Sequence, residues 1–98
     1  KVMTYAIISN WSSEEEIDHK SVVYAETALL PMLKLLGADY VYLCKTSKNA
    51  FSVITIYPDE STASNASAKQ DAIHEKTAKE LPISLISDAR GEVIAKLE

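Results

Sequence analysis

The sequence predicts an α+β fold, a ferredoxin-like βαββαβ sandwich with a four-stranded antiparallel sheet and two helices on one face. Three observations predict it. A strand, helix, strand unit occurs twice within 98 residues. Each of the two helices carries its own start and stop signals. The strands are apolar on both faces, which is more than two helices can cover.

The first strand is Met3-Thr-Tyr-Ala-Ile-Ile-Ser-Asn10, ending at Trp11. Lys1-Val2-Met3 leads straight into it without a secretory signal. Ser12-Ser13-Glu14-Glu15-Glu16 then opens a long helix. Ser13 with Glu16 fits a capping box, and three glutamates suit the positive end of the helix dipole. Val22, Ala25, Leu29, Met32, Leu33 and Leu36 recur at helical spacing. Pro31 lacks an N–H and clashes with the preceding turn, so it should kink or split this helix. Gly37 suits the left-handed position just past its end. Tyr40–Lys45 is the second strand, and a short hairpin at Ser47-Lys48-Asn49 leads to the third, Phe51–Tyr57.

Pro58-Asp59-Glu60-Ser61 opens the second helix, and Pro82 ends it. Ala63, Ala66, Ala68, Ala72 and Ala78 give it propensity but little volume. Its apolar stripe is thin: Ala66, Ile73, Thr77 and Leu81. Such a helix either sits close to a sheet or covers a cavity. Ile83–Ser87 returns as strand, and Asp88-Ala-Arg-Gly91 reads as a turn or bulge. The stretch 83–97 is either one bent strand or two short ones.

Side chains alternate across a strand. Ala6 and Ile8 oppose Tyr5, Ile7 and Trp11. Val41 and Leu43 oppose Tyr40, Tyr42 and Cys44. Ile54 and Ile56 oppose Phe51, Val53 and Tyr57. The aliphatic set suits packing under the helices, which leaves the aromatic set bare. A bare apolar face of that size exceeds what soluble monomers tolerate. Its simplest cover is the same face of a second copy, with the tail Gly91–Leu97 as the alternative cover.

Composition bounds the function. Hydrophobic residues are 47%, charged residues 24%, and the net charge is −4, a globular balance that repels a phosphate backbone on average. The chain reads as one domain, residues 1–98. Cys44 is the only cysteine, which excludes an internal disulfide and points to a reducing, cytoplasmic setting. No apolar run is long enough to span a bilayer. The two histidines, His19 and His74, lack metal-type spacing, so no metal and no cofactor is expected. GxSxG, Walker and GxGxxG motifs are absent.

Leu35-Leu36-Gly37-Ala38 at the end of the first helix, the hairpin Ser47-Lys48-Asn49, the strand Phe51–Tyr57 and the Pro58-Asp59-Glu60-Ser61 helix start together resemble the dimeric α+β barrel superfamily, in its antibiotic-biosynthesis-monooxygenase-like branch. The resemblance covers nearly the whole chain. It implies two sheets paired face to face into one α+β barrel. Members include cofactor-free oxygenases of aromatic polyketides, haem-degrading enzymes and small isomerases. Where that branch carries a Trp at the end of the third strand, this chain has Tyr57, and no His stands near Ala66. Of the Asn, Trp and His of haem-degrading members, Asn10 and His74 match and the Trp does not.

The candidate ligand-binding residues are therefore Asn10, Tyr24, Tyr57 and His74, with His74 and Asn10 also the catalytic candidates. By parity Asn10 should point toward the helices, where a pocket would open. The tyrosine hydroxyls can orient a phenolic or other small apolar ligand, or simply place rings in a core. His74 can act as a base, although the margin of a helix more often holds a partly exposed His. Trp11 reads as an interface or rim residue, and Cys44 as a buried strand thiol. Two functions follow: a small-molecule-binding protein, with oxygenase or isomerase chemistry open to it, or a non-catalytic homodimer whose pocket is filled. A third, RNA binding, has only a faint third-strand motif at Lys48–Val53 and the wrong net charge.

Overall fold

The computed structural model describes residues 4–97; Met3, where the first strand was expected to start, lies outside them. The order is β1 (Tyr5–Ser13), α1 (His19–Tyr24), a π-helical turn (Ala25–Leu29), α2 (Leu30–Leu35), β2 (Tyr40–Ser47), β3 (Ala50–Tyr57), α3 (Glu60–Glu80) and β4 (Ile83–Glu92). The four strands form one antiparallel sheet in the order β2-β3-β1-β4. This is the ferredoxin-like arrangement the sequence predicts.

The first helical segment starts later than expected. Ser13 does not cap a helix. Its N–H donates to the Asn49 carbonyl at 2.7 Å, and its backbone pairs with Ile83, so the strand runs on through Ser13. Asp18 is the cap instead, accepting from the Ser21 N–H at 3.1 Å. That bond holds the Asp18 carboxyl below its ordinary pKa. Pro31 acts as its chemistry demands. Its ring and missing N–H disfavour a regular turn, and the chain widens just before it, with the Leu30 N–H donating to the Ala25 carbonyl five residues back. Gly37 closes α2 at φ 102°, and an added Cβ there would stand 2.8 Å from Thr62 Cγ2.

α3 is one continuous helix, capped by Asp59, whose carboxylate accepts from the Thr62 N–H at 2.7 Å. Its buried stripe is Ala63, Ala66, Gln70, His74 and Thr77, so His74 lies inside it and Ile73 at its margin. β4 is a single strand with an extra residue opposite Asn10 and Trp11. Arg90 ties it to α3 through Ser67 and through Asp71 at 3.1 Å.

Both faces of the sheet are apolar as expected, but two strands are turned over. Ile7 and Trp11 of β1, and Val53 and Tyr57 of β3, are buried beneath the helices. Ala6, Ile8, Ile54 and Ile56 lie on the open face with Tyr40, Tyr42 and Cys44 of β2. Register dictates this: Ile54 pairs with both Ile8 and Tyr42, and Ile56 with both Ala6 and Tyr40. Cross-strand partners share a face, so Ile8 cannot be separated from Tyr42. Cys44 is accordingly exposed rather than buried. The tail does not cover the open face. Tyr40 is 60% exposed and Tyr42 55%, while Ile94 and Leu97 of the tail are exposed themselves.

Candidate apolar pocket beneath the first helix

α1 and the π-helical turn leave a gap above the sheet. The gap is a cavity of about 520 Å³, within the usual range for small-molecule sites. Its floor is Trp11 of β1, Leu43 of β2, and Phe51 and Val53 of β3. Its roof is Val22, Tyr24, Ala25 and Leu29, and one end is closed by His74 and Thr77 of α3. Charged residues, including Glu15, Glu16 and Lys20, stand at its rim.

The floor is flat and aromatic. The Trp11 and Phe51 rings are parallel within 4° at a centroid separation of 6.1 Å. Trp11 is held in place by its Nε1–H, which donates to Ser9 Oγ at 2.8 Å. Its ring also meets the edge of His74, 5.1 Å away and nearly perpendicular. This leaves the indole with no polar atom to offer a ligand, and its ring is a buried support of the floor, 4% exposed.

His74 is buried, contrary to the exposed position expected of it. Its Nε2 is shielded and has no hydrogen-bond partner. Burial pushes its pKa below the ordinary imidazole value; Asp71 and Asp88 oppose that shift and Arg90 adds to it. At neutral pH the imidazole is therefore uncharged, and the end wall of the cavity is neutral. Tyr24 lines the roof, and its Oη donates to Glu80 Oε2 at 3.1 Å. Burial, and then the Glu80 carboxylate, raise the pKa of its phenol.

The other two candidates are elsewhere. Asn10 is on the open face of the sheet, where Ser52 Oγ donates to its Oδ1 at 2.6 Å and its own Nδ2 donates to Ser87 Oγ at 3.1 Å. The sheet thus separates Asn10 from His74, and the pair suggested by haem-degrading enzymes is not assembled. Tyr57 is in the core with Ile7, Ala63 and Ala66, and its Oη donates to Gln70 Oε1 at 2.5 Å. Trp11 and Phe51, which carry the pocket, were not among the expected binding residues. Phe51 under the helices also removes the third-strand aromatic on which RNA binding would rest.

Solved structures of other proteins share the fold, two of them over nearly the whole chain. One is a dimeric ferredoxin-like protein from an uncultured marine organism, with TM-score 0.65 and 9% identity, covering 97% of this chain and 99% of that one. The other is a protein of unknown function from Nitrosomonas europaea, with TM-score 0.71 and 16% identity, covering 99% and 95%. At these identities the likeness is one of fold. No family model matches the sequence, and no curated protein matches it. Among the described residues no three His, Cys, Asp or Glu side chains converge on a metal-sized site, and no helix is long and apolar enough to cross a membrane.

Proposed function

We propose that this protein binds a small, uncharged, ring-containing ligand in the cavity between α1 and the sheet. The observation that carries this is the cavity's floor and end wall: Trp11, Phe51, Leu43 and Val53 with a neutral His74, around an open volume of about 520 Å³. A charged ligand group placed against that wall would lose its hydration without a partner, a cost of several kcal/mol. Apolar ligand surface transferred into the cavity gains about 25 cal/mol for each Å² removed from water. Binding without chemistry is the reading best supported, since the shielded His74 Nε2 offers no ready path for a proton. Oxygenase-like or isomerase-like turnover would need a reactive ligand in place of a reactive side chain.

The protein acts as a homodimer in this reading, with two open sheet faces packed together. Ile8, Ile54, Ile56 and the stacked pair Tyr40 and Tyr42, 6.4 Å apart, share paired rows across β1, β3 and β2 and supply an apolar patch for it. The similar marine protein is a dimer, which supports the pairing. The cavity opens on the opposite side of the sheet, so dimerisation and binding can proceed together.

Trp11 is the chain's one tryptophan, which makes the test direct. Titration with the neutral dye N-phenyl-1-naphthylamine should quench Trp11 emission saturably, with energy transfer to the dye. Quenching that stays linear to the solubility limit of the dye would remove the ligand site.

A further inference from the structure

We infer that Asp18–Tyr24 is a hinged lid over the cavity, held shut by the hydrogen bond from Tyr24 Oη to Glu80. The segment contrasts with everything around it. α1 is the N-terminal end of a helix that runs on through the π-helical turn into α2, and it is the part with no buried side chain; helix ends with few buried contacts open first. Its helical bonds continue into the turn that follows, where the Ala25 N–H donates to the Ser21 and Val22 carbonyls. Val22 and Val23 are 44% and 42% exposed, although Val22 also lines the roof of the cavity.

Both ends of the segment are fastened, and its middle is not. On the N-terminal side the Ile17 N–H donates to the Lys48 carbonyl at 2.9 Å, and Lys45 Nζ donates to the Ile17 carbonyl at 3.0 Å. The β2–β3 hairpin thus grips Ile17. On the C-terminal side Ala25 and Leu29 of the π-helical turn are buried. Between these two anchors, the Asp18–Ser21 bonds are local to the cap. Thr27 Oγ1 donates back to the Val23 carbonyl at 2.7 Å within the helix, and Tyr24 to Glu80, at 3.1 Å, is the side-chain bond that fastens α1 to the end of α3, with Thr77 beside the same hydroxyl. Glu80 sits at the C-terminal end of α3, so breaking that bond frees the roof without touching the sheet. The wide turn before Pro31 is the hinge, with Leu30 bonding five residues back instead of four.

Ligand entry beneath α1 presupposes the binding site proposed above; opening of the lid does not. Hydrogen exchange on the full-length protein measures opening alone. The amides of Val22, Val23 and Tyr24 should exchange well before the β1–β3 ladder. In Tyr24→Phe, and equally in Glu80→Ala, they should exchange about three- to tenfold faster again, as loss of one exposed charge-assisted bond implies. Amides of β3 should be unchanged. The double variant should be no faster than either single one, because both remove the same bond. In stopped-flow mixing with N-phenyl-1-naphthylamine, association and dissociation rates should rise together in Glu80→Ala, since Glu80 does not line the cavity. The lid is overturned if α1 exchanges only at the rate of the sheet, or if neither substitution accelerates it. Failure of the dye to bind the wild-type protein would instead overturn the ligand site, with the exchange result still deciding the lid.

Discussion

Replacing Tyr57 by Phe separates a structural tyrosine from a binding one. The Tyr57 and Gln70 side chains are 0% and 1% exposed, and a single 2.5 Å bond joins Tyr57 Oη to Gln70 Oε1. Removing the hydroxyl leaves a buried amide oxygen with neither that donor nor water. A buried acceptor left unpaired costs about 2 kcal/mol. For a domain of this size each kcal/mol lowers Tm by roughly 4–8 °C, so the expected fall is roughly 8–16 °C. Replacing both partners, Tyr57→Phe with Gln70→Met, removes the orphaned group and should recover most of the loss. Differential scanning calorimetry of the two single variants and the double gives the coupling directly. Dye affinity in Tyr57→Phe, measured well below its Tm, should stay at the wild-type value because Tyr57 does not line the cavity. A Tm loss under about 2 °C, or a weakened Kd in a stable Tyr57→Phe protein, would refute the reasoning.

Acid should weaken the fold through His74. Its folded pKa is depressed by burial, so below the ordinary value of about 6.5 the unfolded chain takes up the proton more readily. Stability is therefore full above that pH and falls as pH drops through the window between 6.5 and the folded value. Chemical denaturation at stepped pH should show this slope, and His74→Phe should flatten it. Gly37→Ala should cost about 1–2 kcal/mol or more from the positive φ, since the added Cβ also meets Thr62; urea unfolding measures it. Tyr42→Asp on the open face should yield single chains by sedimentation velocity at a concentration where the wild type is paired, with its circular dichroism unchanged.

The order of elements was legible because punctuation in the chain is strong. Pro58 with Asp59, Gly37 and Pro82 each mark a boundary the structure keeps. Pro31 announced a disturbed helix, although not that it would take the form of a π-helical turn. The Ser13–Glu16 capping box was outcompeted: the Ser13 N–H donates to the Asn49 carbonyl and the Glu14 N–H to the Pro82 carbonyl, ladder bonds that a solitary cap cannot match. Alternation within each strand was readable, but not which faces lie together. With both faces apolar, hydrophobicity does not determine register, and the Ile8–Ile54–Tyr42 row moved Asn10 to the open side. The pocket was half legible for the same reason. Trp11 shares parity with Ile7, and Phe51 with Tyr57, so the pair would have surfaced once that face was put under the helices. His74 was missed as a buried residue because the α3 stripe is built of Ala, Gln and Thr, whose polarity hides its direction.

Nuclear Overhauser contacts from bound N-phenyl-1-naphthylamine test the ligand site most directly, because a greasy dye has two apolar surfaces to choose from. Cross-peaks from the dye's ring protons to the Trp11 indole, Phe51 and Leu29 are predicted. Cross-peaks confined to Ile8, Tyr40 and Tyr42 would put the dye on the open sheet face and contradict the pocket.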